Sequence, residues 1–137
     1  MSRIVLLDNE AVQALGDRAH RKHRRVLDQL ETAGIRTVRG FPVEVAVPTT
    51  IRVEAGWDRT SSSWAFMNQL PVADIPLSPK HADAAASLRR RTGVSVADAH
   101  LGAAIQHAAQ DRITVITSDP GDMRKVAQDR RIDIVAI

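Results

Sequence analysis

Short apolar runs recur along this chain, each closed by a polar or turn residue and followed by a helical stretch. That alternation restricts it to one fold class. Arg3-Ile-Val-Leu-Leu7 is continuously apolar after its first residue. Such a run suits a strand buried on both faces of a parallel sheet, because a strand with one wet face alternates polar and apolar residues. Val43-Glu-Val-Ala-Val47, Val72-Ala-Asp-Ile-Pro-Leu77, Ile113-Thr-Val-Ile-Thr117 and Ile132-Asp-Ile-Val-Ala-Ile137 read as further strands. Pro76 places the Val72–Leu77 strand at a sheet edge, since proline donates no ladder hydrogen bond. With helices between them, the class is α/β with a mainly parallel sheet of about five strands.

The helices announce themselves by their caps. Asp8 caps a helix carrying Ala11, Val12 and Leu15, with Gly16 as its stop. A second is expected over His20–Ala33, with Val26, Leu27 and Leu30 as its apolar stripe and Gly34 ending it. Thr49 or Thr50 caps a third, on which Ile51, Glu54 and Trp57 share a face by i, i+3, i+6 spacing. Asp58 to Leu70 is expected to be helical after a serine-rich turn. Ser78-Pro79 opens the next helix, with Ser as cap and Pro at the first position. Ser95 caps a helix with Asp98 three residues on, packed with small residues from Ala99 to Ala109. Asp119 caps the last, with Pro120 first and Asp122 third.

At 137 residues the chain has the length of one domain, 1–137, able to bury a real core. Cysteine is absent, which removes thiol nucleophiles, disulfides and cysteine zinc sites and fits a cytoplasmic protein. No apolar run approaches the roughly 20 residues of a membrane span. The formal charge is +3, and basic residues gather at Arg18–Arg25 and Arg89–Arg91. These groups fit a polyanionic partner as well as a solvated helix face. Aromatics are too few for a base-stacking ladder.

The acids carry the chemistry. Each has a local structural role: Asp8 and Asp119 as caps, Asp98 and Asp122 as first-turn acids that favour the helix dipole. Yet Asp8 follows the first strand and Asp119 follows Ile113–Thr117. Right-handed crossovers place those strand ends on one edge, where open α/β sheets bind ligands. Glu54 on an apolar stripe is an expensive carboxylate unless paired. Carboxylates gathered in one cleft repel unless protonated or neutralised by a cation. Oxygen-only ligation without cysteine or paired histidine points to Mg²⁺ or Mn²⁺, ions that activate water and steady charge on a phosphoryl group.

Four segments in this order are similar to those of PIN domains, and specifically of VapC-type toxins of bacterial toxin–antitoxin pairs: Val5-Leu-Leu-Asp8, Pro48-Thr-Thr-Ile-Arg-Val-Glu54, Ala97-Asp-Ala-His-Leu-Gly-Ala-Ala104 and Ile116-Thr-Ser-Asp-Pro-Gly-Asp122. The resemblance spans essentially the whole chain. It implies a Rossmann-like three-layer sandwich and Mg²⁺- or Mn²⁺-dependent endoribonuclease activity leaving 3′-hydroxyl and 5′-phosphate ends. The family's four acids fall on Asp8, Glu54, Asp98 and Asp119. Asp122 falls on a further acid of some members, and Thr117 or Ser118 on the small hydroxyl residue. The resemblance also implies a homodimer held inactive by a small antitoxin. Arg21, Arg24, Arg25, Arg89, Arg90 and Arg91 are the candidates for guiding the RNA backbone. Asn9 departs from the pattern, standing where Thr or Ser often follows the first acid, as does Gly56-Trp-Asp-Arg59 after Glu54.

Two other readings compete. A phosphoacceptor receiver domain needs an acceptor Asp after a central strand and a late Lys after a strand. Here Pro48 follows Val43–Val47, and Lys125 lies within a helical stretch. A non-catalytic nucleic-acid or protein-binding module on the same fold needs none of the acids.

Overall fold

The alternation resolves into one five-stranded sheet in the computed structural model, which describes residues 1–137. The strands are β1 (Arg3–Leu7), β2 (Val43–Pro48), β3 (Ala73–Ile75), β4 (Arg112–Thr117) and β5 (Asp133–Ala136). Their order is β3-β2-β1-β4-β5 and every neighbouring pair is parallel. β1 is central, with Leu6 beside Ala46 on one flank and Val115 on the other. Strand order reverses between β1 and β4, which makes their carboxyl ends the switch point of the sheet.

The apolar run of β1 is explained by what lies on its two faces. Successive strand residues point to opposite sides. Leu7, with Val45, Val47 and Ile116, joins an apolar cluster covered by α1 (Asn9–Gly16), α2 (His23–Val38) and α3 (Thr49–Ala55). Leu6, with Ala46, Ile113 and Val115, joins a second cluster covered by α5 (Pro79–Thr92), α6 (Val96–His107) and α7 (Pro120–Ala127). The result is the three-layer α/β/α sandwich expected from the sequence. No helix is long and apolar enough to cross a membrane.

Four local expectations are corrected. The second helix runs His23–Val38 rather than His20–Ala33, and Gly34 lies inside it. Its end comes at Arg39, followed by Gly40 at a φ of 90°. Thr37 Oγ1 anchors that last turn, donating to the Ala33 carbonyl and accepting from the Val43 N–H. The start is delayed because His20 Nδ1 accepts from the Lys22 N–H and holds a turn. Neither Thr49 nor Thr50 caps α3; its N-cap is Pro48, with no side-chain bond. Asp58–Leu70 yields only a 3-10 turn at Ser62–Trp64 and α4 (Ala65–Gln69). The Asp58 side chain holds the Thr60 N–H and hydroxyl in a turn instead. Finally, Ile51 and Trp57 are buried but Glu54 is exposed. The helix stops at Ala55, and Gly56 at a φ of 75° turns the chain so that Trp57 enters the core from a loop.

Small residues let the second layer close. A Cβ at Gly102 of α6 would stand 2.6 Å from Val126 Cβ and 2.7 Å from Leu88 Cδ1. Gly102→Ala is therefore expected to destabilise the protein by about 1–3 kcal/mol, outweighing the ~1 kcal/mol that alanine gains in helix propensity. Urea unfolding checks this: the midpoint should fall with an unchanged slope, and a raised midpoint would contradict the packing.

Candidate active site

Asp8 sits where β1 ends and α1 begins. Its Oδ1 accepts from the Ala11 N–H at 2.8 Å, capping α1, and its Oδ2 accepts from the Ser118 N–H at 3.0 Å. The second bond crosses the switch point from the end of β1 to the loop after β4. The side chain is buried, and that burial raises its pKa above the ordinary carboxylate value. Hydrogen bonds from Ala11, Thr117 and Ser118 oppose the rise, and the Glu10 charge adds to it. Thr117 is fully buried, and its Oγ1 accepts from the Asp119 N–H at 2.9 Å. Asp119 in turn caps α7, accepting from the Asp122 N–H at 3.1 Å.

Asp98 arrives from the other direction, on the first turn of α6, where Ser95 Oγ accepts from its N–H at 3.1 Å. Its pKa is raised to about 6. Burial is the largest cause, followed by the negative charges of Asp122, Glu54, Asp8 and Asp119. The other four sequence-selected acids thus lie within electrostatic reach of Asp98, including Glu54, which is exposed on α3. No three Asp, Glu or His side chains close to the separation of a finished metal cage. Their mutual repulsion, unneutralised, opposes that closure. The donor set is oxygen only, which fits a hard divalent ion. Asn9, next to Asp8, also carries a buried Oδ1 without a hydrogen-bond partner.

The arginines divide. Arg24 is already neutralised: its Nη2 lies 2.6 Å from both Asp28 and Glu31, which raises its pKa. Arg25 Nη2 donates to the carbonyl of Ala136, at the end of β5. Arg21, Lys22 and Arg25 line a depression of about 280 Å³ with Ile137. Ile137 N–H donates to the Thr117 carbonyl, so this basic depression adjoins the same sheet edge as the acids. Arg89 Nε donates to the Val94 carbonyl and Arg91 Nη1 to Gln128 Oε1, which ties both down at the end of α5. Arg90 is exposed.

Sequence reasoning missed one residue, two positions beyond Asp98. His100 is fully buried, and its Nδ1 lies 2.8 Å from Thr50 Oγ1. Burial is the main cause of its pKa falling to about 4, with the nearby His81 charge adding to the fall, so the ring is neutral near pH 7. A signal existed: His100 stands in the middle of an almost wholly apolar run, Ala99 to Ile105, which marks a helix segment buried on most faces. Lys125, the one candidate for a receiver-type lysine, lies on α7 with its Nζ 3.6 Å from Asp122. The strand order also differs from the 2-1-3-4-5 order of receiver folds.

Comparison with solved structures places this architecture. A chain of a toxin–antitoxin complex from Klebsiella pneumoniae superposes with a TM-score of 0.64 at 20% identity, over 97% of this chain and 99% of that one. The fold is that of a PIN domain. VapBC2 from Rickettsia felis, bound to a promoter DNA fragment, gives 0.59 at 12% identity over 96% of this chain and 98% of that one. FitAB bound to a DNA fragment gives 0.59 at 16% identity over 96% and 94%. No family model and no curated protein sequence matches the chain.

The Asp98 shift fixes a pH dependence of the metal-free PIN fold. A carboxyl that ionises at about 6 when folded and near 3.8 when unfolded binds more protons in the folded state between those values. Its contribution to stability therefore falls as pH rises through that window. Asp98→Asn is expected to unfold at higher urea than wild type at pH 7 in EDTA, with the gain vanishing below about pH 4. Equal gains at both pH values would contradict the cluster.

Proposed function

We propose that this PIN-fold protein is a metal-dependent endoribonuclease acting as the toxin of a type II toxin–antitoxin pair. The observation that carries the reading is Asp98, whose ionisation is suppressed by burial and by the charges of four other acids near the sheet's switch point. A fold gains nothing from concentrating like charges in this way, whereas a site for a cation does. Asp8, Asp98, Asp119 and Asp122 are the residues that would hold Mg²⁺ or Mn²⁺. A bound ion of this kind supplies activation of water and neutralisation of charge on phosphoryl oxygens.

The chain's own residues supply placement. Asp8 is locked by two backbone N–H groups and keeps one geometry through the reaction. Thr117 holds the turn that presents Asp119. Glu54, exposed on α3, orients the attacking water by hydrogen bonding. In-line attack then breaks the bond between phosphorus and the 3′ oxygen, leaving a 3′-hydroxyl and a 5′-phosphate. Arg21 and Arg25, on the same edge, hold the RNA backbone.

A protein partner belongs to the same reading, because the solved structures of like fold are toxin–antitoxin complexes. Ile35, Val38 and Phe41 are exposed at the end of α2. Beside that end lies a groove of about 590 Å³ lined by Leu30, Ala33, Val43 and Leu70. The groove, which Glu44, Arg59 and Asn68 also line, is the surface offered to a small antitoxin. The reading includes a homodimer.

Purified, partner-free protein should cut a mixed RNA pool in Mg²⁺ or Mn²⁺, leave 5′-phosphate ends, and stop in EDTA. Asp98→Asn should cut at least about 100-fold more slowly, the scale for losing one charge-stabilising group. Equal cutting by the two proteins would place the activity elsewhere. RNA binding without cutting, unchanged by Asp98→Asn, would favour a non-catalytic binding module. In the same protein, Arg21→Ala with Arg25→Ala should reduce the salt slope of RNA affinity by about 1.4, two contacts at ~0.7 each on a single strand. Arg24→Ala should leave that slope unchanged; a loss equal to the other two would mean that its ion pairs open on binding.

A further inference from the structure

The protein buries three polar side chains: Asp8, Thr117 and His100. The first two belong to the acid cleft. The third lies two residues beyond Asp98, in a helix whose other buried residues are alanines, glycine, leucine and isoleucine. An imidazole in such surroundings is costly, and its Nε2 has no hydrogen-bond partner. An apolar side chain would fill the same space at less cost. The ring's one strong contact is Nδ1 to Thr50 Oγ1, at 2.8 Å.

Thr50 makes that contact from the second position of α3. A threonine inside a helix ordinarily points its hydroxyl to solvent or back to a carbonyl of the preceding turn. Here α3 has no side-chain cap, and the hydroxyl reaches across to α6 instead. Thr50 stands one turn before Glu54 on α3, and His100 stands just after Asp98 on α6. The bond therefore joins the helix that brings Glu54 to the helix that brings Asp98. The His100 side of the bond is fully buried, and Thr50 is half-buried. Either ring tautomer serves, because a hydroxyl both donates and accepts.

We propose that Thr50 and His100 are positioning residues, whose hydrogen bond sets the approach of Asp98 and Glu54 to the cleft. The inference rests on the nuclease reading for its consequence in catalysis, but its structural part stands apart from it. Asp98 is carried by α6, and Thr50 to His100 is the one side-chain hydrogen bond between α3 and α6.

The test compares Thr50→Val, which keeps shape and loses the hydroxyl, with Thr50→Ser, which keeps the hydroxyl. In Thr50→Val, Mn²⁺ affinity and kcat for RNA should each fall about 10–100-fold, the scale for groups that orient metal ligands. KM should stay within about twofold, because RNA contacts are untouched. Thr50→Ser should recover both. In metal-free protein, amide exchange in the first turn of α6 should quicken in Thr50→Val alone, with the central strands unchanged. Identical behaviour of the two variants, or unchanged exchange in that turn, would overturn the proposal, as would a loss that disappears on cooling with the melting transition. A wild-type protein that neither binds Mn²⁺ nor cuts RNA would sink the nuclease reading, while the exchange comparison would still decide the positioning.

Discussion

The Asp8 carboxylate joins the two halves of the molecule. One oxygen receives the N–H of Ala11 and so starts α1 on one face of the sheet. The other receives the N–H of Ser118 and so fixes the loop that starts α7 on the opposite face. The crevice between diverging helices at the switch point exists because both leave the same edge in opposite directions. A neutral or apolar residue here would satisfy at most part of this arrangement, and burial makes the charged form costly. The hydrogen bonds keep that cost tolerable, and they leave the cleft with one acid whose geometry cannot wander.

The remaining acids share a device. Asp8 and Asp119 are caps, and Asp98 and Asp122 sit in first turns. Three helices therefore aim their amino ends at one region. Each brings the positive end of its dipole and unpaired N–H groups toward the carboxylates. That field offsets part of the repulsion among them. It does not remove the repulsion, which adds to burial in raising the pKa of Asp98. Helix capping and candidate chemistry are one arrangement here, which is why each acid read alone has an ordinary structural explanation.

The outer parts of the chain show where local pattern and tertiary demand diverge. Gly34 has the look of a helix stop, yet α2 runs on to Val38 because Thr37 is held by the chain entering β2. Glu54 has the spacing of a buried face, yet α3 ends a residue later and a left-handed glycine delivers Trp57 separately. Arg24 belongs to a basic run in sequence, yet it spends its charge on Asp28 and Glu31 of its own helix. In each case the deciding contact comes from a turn geometry or a side-chain partner that periodicity does not encode.

The sequence by itself determined the fold class, the caps of α1, α5, α6 and α7, and the identity of the acids. Doubly buried strands must be apolar throughout, and helix starts must satisfy their free N–H groups, so both leave marks in the residue order. Only the tertiary structure decided that β1 and β4 are neighbours, that Asp98 reaches their shared edge, and that Thr50 binds His100 across 50 residues of chain. Those facts depend on how helices cross and how strands order. Both are set by the packing of whole faces, and no local spacing records them.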